Sequence, residues 1–150
     1  MTKQEYIEKL SEYRARVWDA VEGLNDEQLS EPMGEGKWSI KDTLGHLAAW
    51  EGEAVHAFEQ KARGERPTIG DITDFDAWNE VESGKRKDWS PDQIRQELKG
   101  NRDRLMEIVA GIPEDEKIWA SDRATARILG TLINHDRHHL EGIRRHVEAR

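Results

Sequence analysis

Three histidines, His46 in the first half of the chain and His135 with His139 near its end, have the residue type and spacing of a metal triad. The chain contains no cysteine, so a transition-metal site has to be built from imidazole and carboxylate, and two His four residues apart on a helix project from one face. Three neutral imidazoles leave a fourth position on a metal open to water or substrate, which is the pattern of catalytic rather than structural zinc sites. Such a metal brings the pKa of bound water or thiol down to about 7 and so generates a nucleophile at neutral pH. Taken alone, HxxxH is a weak signal, because a charged, solvated helix face carries the same pattern. A His at the edge of an apolar stripe is commonly satisfied by one hydrogen bond.

The elements that must position these side chains are helical. A first helix starts at a capping box, Thr2 with Glu5, and carries Tyr6, Leu10, Tyr13, Val17 and Val21 at steps of three or four before ending near Gly23. Asn25 caps a short turn through Gln28, and residues 31 to 36 read as a loop. The second long helix starts at Ser39 with Asp42 as its box partner, carries Ile40, Leu44, Leu47, Ala48, Val55 and Phe58, and runs to about Ala62. Gly64, Pro67 and Gly70 break the pattern, and residues 75 to 86 hold a short helix carrying Trp78 and Val81.

The third long helix opens with Ser90 at the cap, Pro91 at the first helical position and Gln93 closing the box, with Trp89 and Ile94 placed for a hydrophobic staple. Ile94, Leu98, Leu105 and Ile108 follow, with Asn101 the polar member of the row, and Gly111 and Pro113 end it. The last helix runs from about Arg123 toward Val147. No segment shows sustained period-2 alternation, so the expected fold is all-α: a four-helix bundle with a long crossover between its second and third helices.

At about 100° per residue, a helical wheel separates the histidines of the last helix. With the apolar stripe centred on Leu132, Ile143, Val147 and Leu129, His135 and His139 fall along one edge and His138 points toward solvent. His146 shares that edge; it either lines the same groove or finishes the helix where positive charge is favoured. His46 lies with Thr43 and Trp50, off the Leu44/Leu47/Ala48 stripe, which suits a groove at the margin of a bundle better than a dry interior. Trp50 is either a wall of that groove or ordinary packing. Glu51, Glu53 and Asp136 are candidates to orient an imidazole or relay protons, and the sequence does not choose among them.

Composition bounds the remaining classes. The 150 residues suit a single domain spanning 1–150. Charged residues make up 36% and hydrophobic ones 35%, a balance that fits amphipathic helices burying one stripe each. No apolar run approaches the roughly 20 residues of a membrane span, and MTKQEYIEKL lacks the apolar core of a signal peptide, so a cytoplasmic protein with no membrane partner is expected. The net charge of -8 and the interleaving of basic with acidic residues lead to the expectation of no nucleic-acid partner. Without cysteine there is no thiolate ligand or nucleophile of the chain's own, and any thiol chemistry needs a small-molecule thiol.

Residues 36 to 51, GKWSIKDTLGHLAAWE, resemble the second-helix signature of the DinB-like superfamily of YfiT-type metalloenzyme candidates, and residues 134 to 143, NHDRHHLEGI, resemble the matching signature on their last helix. The loop and capping pattern between the two is also similar, so the resemblance covers nearly the whole chain. It implies an up-down-down-up four-helix bundle in which one His of the second helix and two of the last bind a divalent metal, nickel or zinc. By that resemblance the ligands are His46, His135 and His139. Some members of the superfamily are thiol S-transferases using bacillithiol or mycothiol, and members often dimerise.

The segment between the second and third helices, with FDAWNE at 75 to 80, also resembles the ClbS/DfsB group, whose known member is a cyclopropane hydrolase that needs no metal triad. The triad His and the shorter tail place this chain with the metal-binding members. The implied function is a metal-dependent thiol S-transferase or hydrolase acting on an electrophilic small molecule, with a small-molecule substrate and a homodimer as partners. The alternatives are a metal-free hydrolase or sequestering protein of the ClbS kind, and a non-catalytic metal-binding bundle.

Overall fold

A computed structural model describes residues 1–150. The chain is all-α: α1 Lys3–Val21, α2 Asp26–Ser30, α3 Ile40–Ala62, α4 Phe75–Lys85, α5 Pro91–Ala110, α6 Glu116–Trp119 and α7 Ala124–Glu148, with one turn of 3-10 helix at Ile69–Asp71. Four of these are long, α1, α3, α5 and α7, as the periodicity predicts. No strand forms, and the one β-bridge is an isolated pairing of Pro32 with Ser39. The chain divides into two compact units, one made of Met1–Leu24 with Val109–Arg150 and the other of Asn25–Ile108.

In the first unit α1 packs against α7. The Thr2 hydroxyl accepts from the Glu5 N–H and the Glu5 carboxylate accepts from the Thr2 N–H, both at 3.2 Å, so the predicted capping box forms. The chain leaves α1 through Gly23, whose φ of +81° is a left-handed conformation that glycine adopts without a Cβ clash. Leu10 and Val17 of α1 and Leu129 and Ile143 of α7 are fully buried. The Lys3 ammonium donates to the carbonyl of Ala110, the last residue of α5, and to that of Ile112 just beyond it, each at 2.9 Å. Helix α6 was not expected. Its four residues are too few to show a period, but Trp119 is buried there, with its indole N–H on the Pro113 carbonyl at 2.9 Å and its ring 5.5 Å from that of Tyr6.

In the second unit three further capping boxes form where the sequence places them or their cap: Asn25 with Gln28, Ser39 with Asp42, and Ser90 with Gln93. All six apolar positions read for α3 are buried, and Ile94, Leu98 and Leu105 of α5 are buried with them. Asn101 earns its place in that apolar row by donating from Nδ2 to the Ala48 carbonyl at 2.9 Å. Gly52 lies beside this bond, and a Cβ there would stand 3.2 Å from the Asn101 amide nitrogen. Helix α4 forms over the expected stretch, capped by Asp74. Of the two apolar residues read for it in the sequence, Trp78 packs against Trp50 and Val81 is 59% exposed.

Candidate metal centre

The histidine pair of α7 is held by a buried ion pair. Asp136 is buried, and its two carboxylate oxygens accept from Nε and Nη2 of the equally buried Arg14 on α1, at 3.1 and 3.0 Å. This two-pronged bond, together with the buried stripe of Leu129, Leu132, Ile133, Leu140 and Ile143, sets the rotation of α7 about its axis. With Asp136 inward, a helix turning about 100° per residue carries His135 and His139 to one flank, about 40° apart, and sends His138 to the far side. His135 and His139 are accordingly half-buried, with ring centroids 4.8 Å apart, and His138 is exposed with its ring 4.9 Å from that of His139. This is the arrangement that helical phase predicts.

Burial sets the protonation of the pair. Loss of water pulls His135 from the ordinary 6.5 to about 4, partly opposed by the neighbouring Asp136 carboxylate. His139 is likewise lowered to about 4, first by burial and then by the charge of His135. Both rings are neutral at pH 7, the form in which imidazole ligates a metal. His146, in the last turn of α7, is half-buried, and its Nε2 is a buried nitrogen with no hydrogen-bond partner.

On α3, His46 is half-buried, off the fully buried stripe as the wheel predicts, and its ring packs against Trp38 at 4.8 Å. Trp38 lies just before the Ser39 cap, so the residue that flanks this imidazole comes from the loop leading into its own helix. Glu51 is completely buried. It accepts from Arg102 Nε at 3.1 Å and from Nη2 at 2.7 Å through Oε1. Two of the three carboxylates considered for imidazole orientation, Glu51 and Asp136, are therefore bound to buried guanidinium groups; Glu53 is half-buried. Trp50 packs under α4: its indole N–H donates to Asn79 Oδ1 at 2.8 Å and its ring lies 4.2 Å from Trp78 and 5.7 Å from Phe75. That is packing, not an open groove wall.

Arg14 and Arg102 were missed in the sequence. A signal for them existed, since Arg14 stands in phase with Leu10 and Val17, and Arg102 with Leu98 and Leu105, so each is a charge on an apolar stripe. Buried arginines of this kind need a carboxylate partner, and Asp136 and Glu51 supply it.

Residues 9–143 match the DinB superfamily. The chain belongs to that superfamily. Among DinB relatives, the "Putative metal-dependent hydrolase YfiT" of Bacillus subtilis (strain 168) is 28% identical over 150 residues, covering 94% of this chain and 82% of that protein. The "Putative metal-dependent hydrolase OB0413" of Oceanobacillus iheyensis is 29% identical over 65 residues, 43% of this chain and 38% of that protein. Two solved structures share the fold. The colibactin self-resistance protein ClbS in complex with a dsDNA superposes with a TM-score of 0.84 at 15% identity, covering 96% of this chain and 94% of that one. An uncharacterised protein from Escherichia coli UTI89 gives 0.85 at 14%, covering 99% and 94%.

One expectation is overturned. The exclusion of nucleic acid from this chain's partners does not stand, because a protein of the same fold has been crystallised with dsDNA. The physical reason lies in what net charge measures: it sums over the whole surface, whereas contact with phosphate is local. Locally the balance differs from the whole: Arg16 of α1 and Arg137, Arg144 and Arg145 of α7 line one groove together with Glu141 and Glu148. No helix is long and apolar enough to cross a membrane.

Proposed function

We propose that this DinB-superfamily chain is a divalent-metal-dependent enzyme whose ligands are His46, His135 and His139, and that it hydrolyses an electrophilic small molecule. The observation that carries this reading is the pair of half-buried imidazoles that His135 and His139 place on one flank of α7, with ring centroids 4.8 Å apart; His46 is the third ligand that the family resemblance implies. The donor chemistry fits: His135 and His139 are neutral at pH 7 without having to expel a proton, and nitrogen-only sites suit zinc and nickel. A divalent ion held by three imidazoles supplies a Lewis acid with a position left for water or substrate.

The chain's own residues do the positioning. Arg14 holds Asp136, the neighbour of His135 on α7, and Trp38 packs against the His46 ring. The names of the two curated relatives favour hydrolysis over thiol transfer. The match to the superfamily runs through both compact units, which supports reading 1–150 as one domain.

The test is turnover of an ester, amide and epoxide panel by metal-loaded protein, with and without a small-molecule thiol. Hydrolysis that disappears on chelation and returns with added zinc or nickel is expected. Turnover that survives both chelation and loss of all three His would instead support a metal-free hydrolase. Turnover that requires the thiol would make the protein a transferase.

A further inference from the structure

The α1 and α7 helices form a groove on the first unit whose lining includes none of the histidines. It encloses about 380 Å³, within the range of small-molecule sites. Four arginines line it, Arg16, Arg137, Arg144 and Arg145, against two carboxylates, Glu141 and Glu148, so it is a net cationic patch on a chain of net charge -8. Two of the arginines are committed: Arg16 pairs with Glu12, and Arg145 with Glu141 at 3.6 Å. Arg137 and Arg144 make no ion pair. They stand seven residues apart on one face of α7, two turns along the axis.

The groove also has an aromatic wall and an apolar floor. Two guanidinium groups lie over the Tyr13 ring, Arg16 at 5.3 Å and Arg137 at 6.0 Å from its centroid, so this aromatic side chain brings both cations to the groove. Leu140, buried between the two free arginines in sequence, forms the floor. Helix-end electrostatics accounts for basic residues in the last turn of α7, such as Arg145, but not for Arg137, about two turns earlier, nor for Arg16 on another helix.

We propose that this groove binds a small organic phosphate with a planar ring, of nucleoside-monophosphate size. Arg137 and Arg144 take the phosphate through charge-assisted, two-pronged hydrogen bonds. The ring lies over Leu140 against Tyr13. Inorganic phosphate carries the anion without the ring, and a short DNA duplex carries phosphates without a free terminal group, so the three probes separate the sources of this chemistry.

The experiment is isothermal titration of the full-length protein with AMP, inorganic phosphate and a 12-base-pair duplex, on wild type and on Arg137→Ala, Arg144→Ala and Tyr13→Leu. AMP is expected to bind, more tightly than phosphate. Each arginine variant should weaken it about tenfold, and Tyr13→Leu should weaken AMP while leaving phosphate unchanged. The arginines are exposed, so these two variants should keep the wild-type circular dichroism. Absence of AMP binding at millimolar concentration, binding unaltered in the arginine variants, or binding of the duplex alone would overturn the assignment.

Discussion

At the scale of single residues, the proposed chemistry rests on keeping two histidines neutral. His135 and His139 sit near 4 in the folded chain against 6.5 for an ordinary imidazole. Between those values the unfolded chain holds more protons than the folded one. Their contribution to stability is therefore complete above about 6.5 and is lost as pH falls toward 4. For metal-free protein, the urea midpoint should drop between pH 7 and pH 5. That drop should shrink in the His135→Gln/His139→Gln double variant, where the titrating groups are gone. Equal slopes in the two proteins would mean that burial does not hold these rings neutral. The same scale shows what a sequence hides. His135 and His139 were separable from His138 by phase alone, because phase is a property of one helix. The partners Arg14 and Arg102 were not named, although each is a charge on an apolar stripe, because pairing depends on a second helix whose position no spacing reveals.

At the scale of elements, the helix starts were the most legible feature. Side-chain to backbone bonds three residues apart are local, so Thr2 with Glu5, Ser39 with Asp42 and Ser90 with Gln93 appear in the structure as read. What was not legible was short or packed between helices: the single turn α6, and the contact of α5 with α3 through Asn101 and Gly52. That contact makes a specific prediction. An interior Gly→Ala change in a helix ordinarily stabilises by about 0.8–1 kcal/mol. Here the new Cβ meets the Asn101 amide nitrogen at 3.2 Å, and displacing it forfeits the bond to the Ala48 carbonyl, a loss of about 0.5–1.5 kcal/mol. Gly52→Ala should therefore give no net gain alone and a gain approaching 1 kcal/mol in an Asn101→Ala background. Chemical denaturation of the four proteins in that cycle checks it. An equal gain in both backgrounds would show that the amide moves aside without cost.

At the scale of the whole molecule, composition proved informative about fold class and misleading about partners. A chain with 36% charged and 35% hydrophobic residues can form long amphipathic helices, and it does. Net charge did not reveal that arginines distant in sequence line one groove, nor that a protein of this fold is found with dsDNA. The superfamily match covers residues 9–143 and reaches into both compact units, so the proposed ligands, His46 on α3 and His135 with His139 on α7, all lie inside the matched span. The central claim is that these three imidazoles hold a metal, and elemental analysis tests it most directly, on protein purified with zinc and nickel available, wild type beside the His46→Ala/His135→Ala/His139→Ala variant. About one equivalent of zinc or nickel per chain in the wild type, and none in a variant that remains helical by circular dichroism, is the predicted result. A wild type without metal, or a variant that keeps it, would contradict the account.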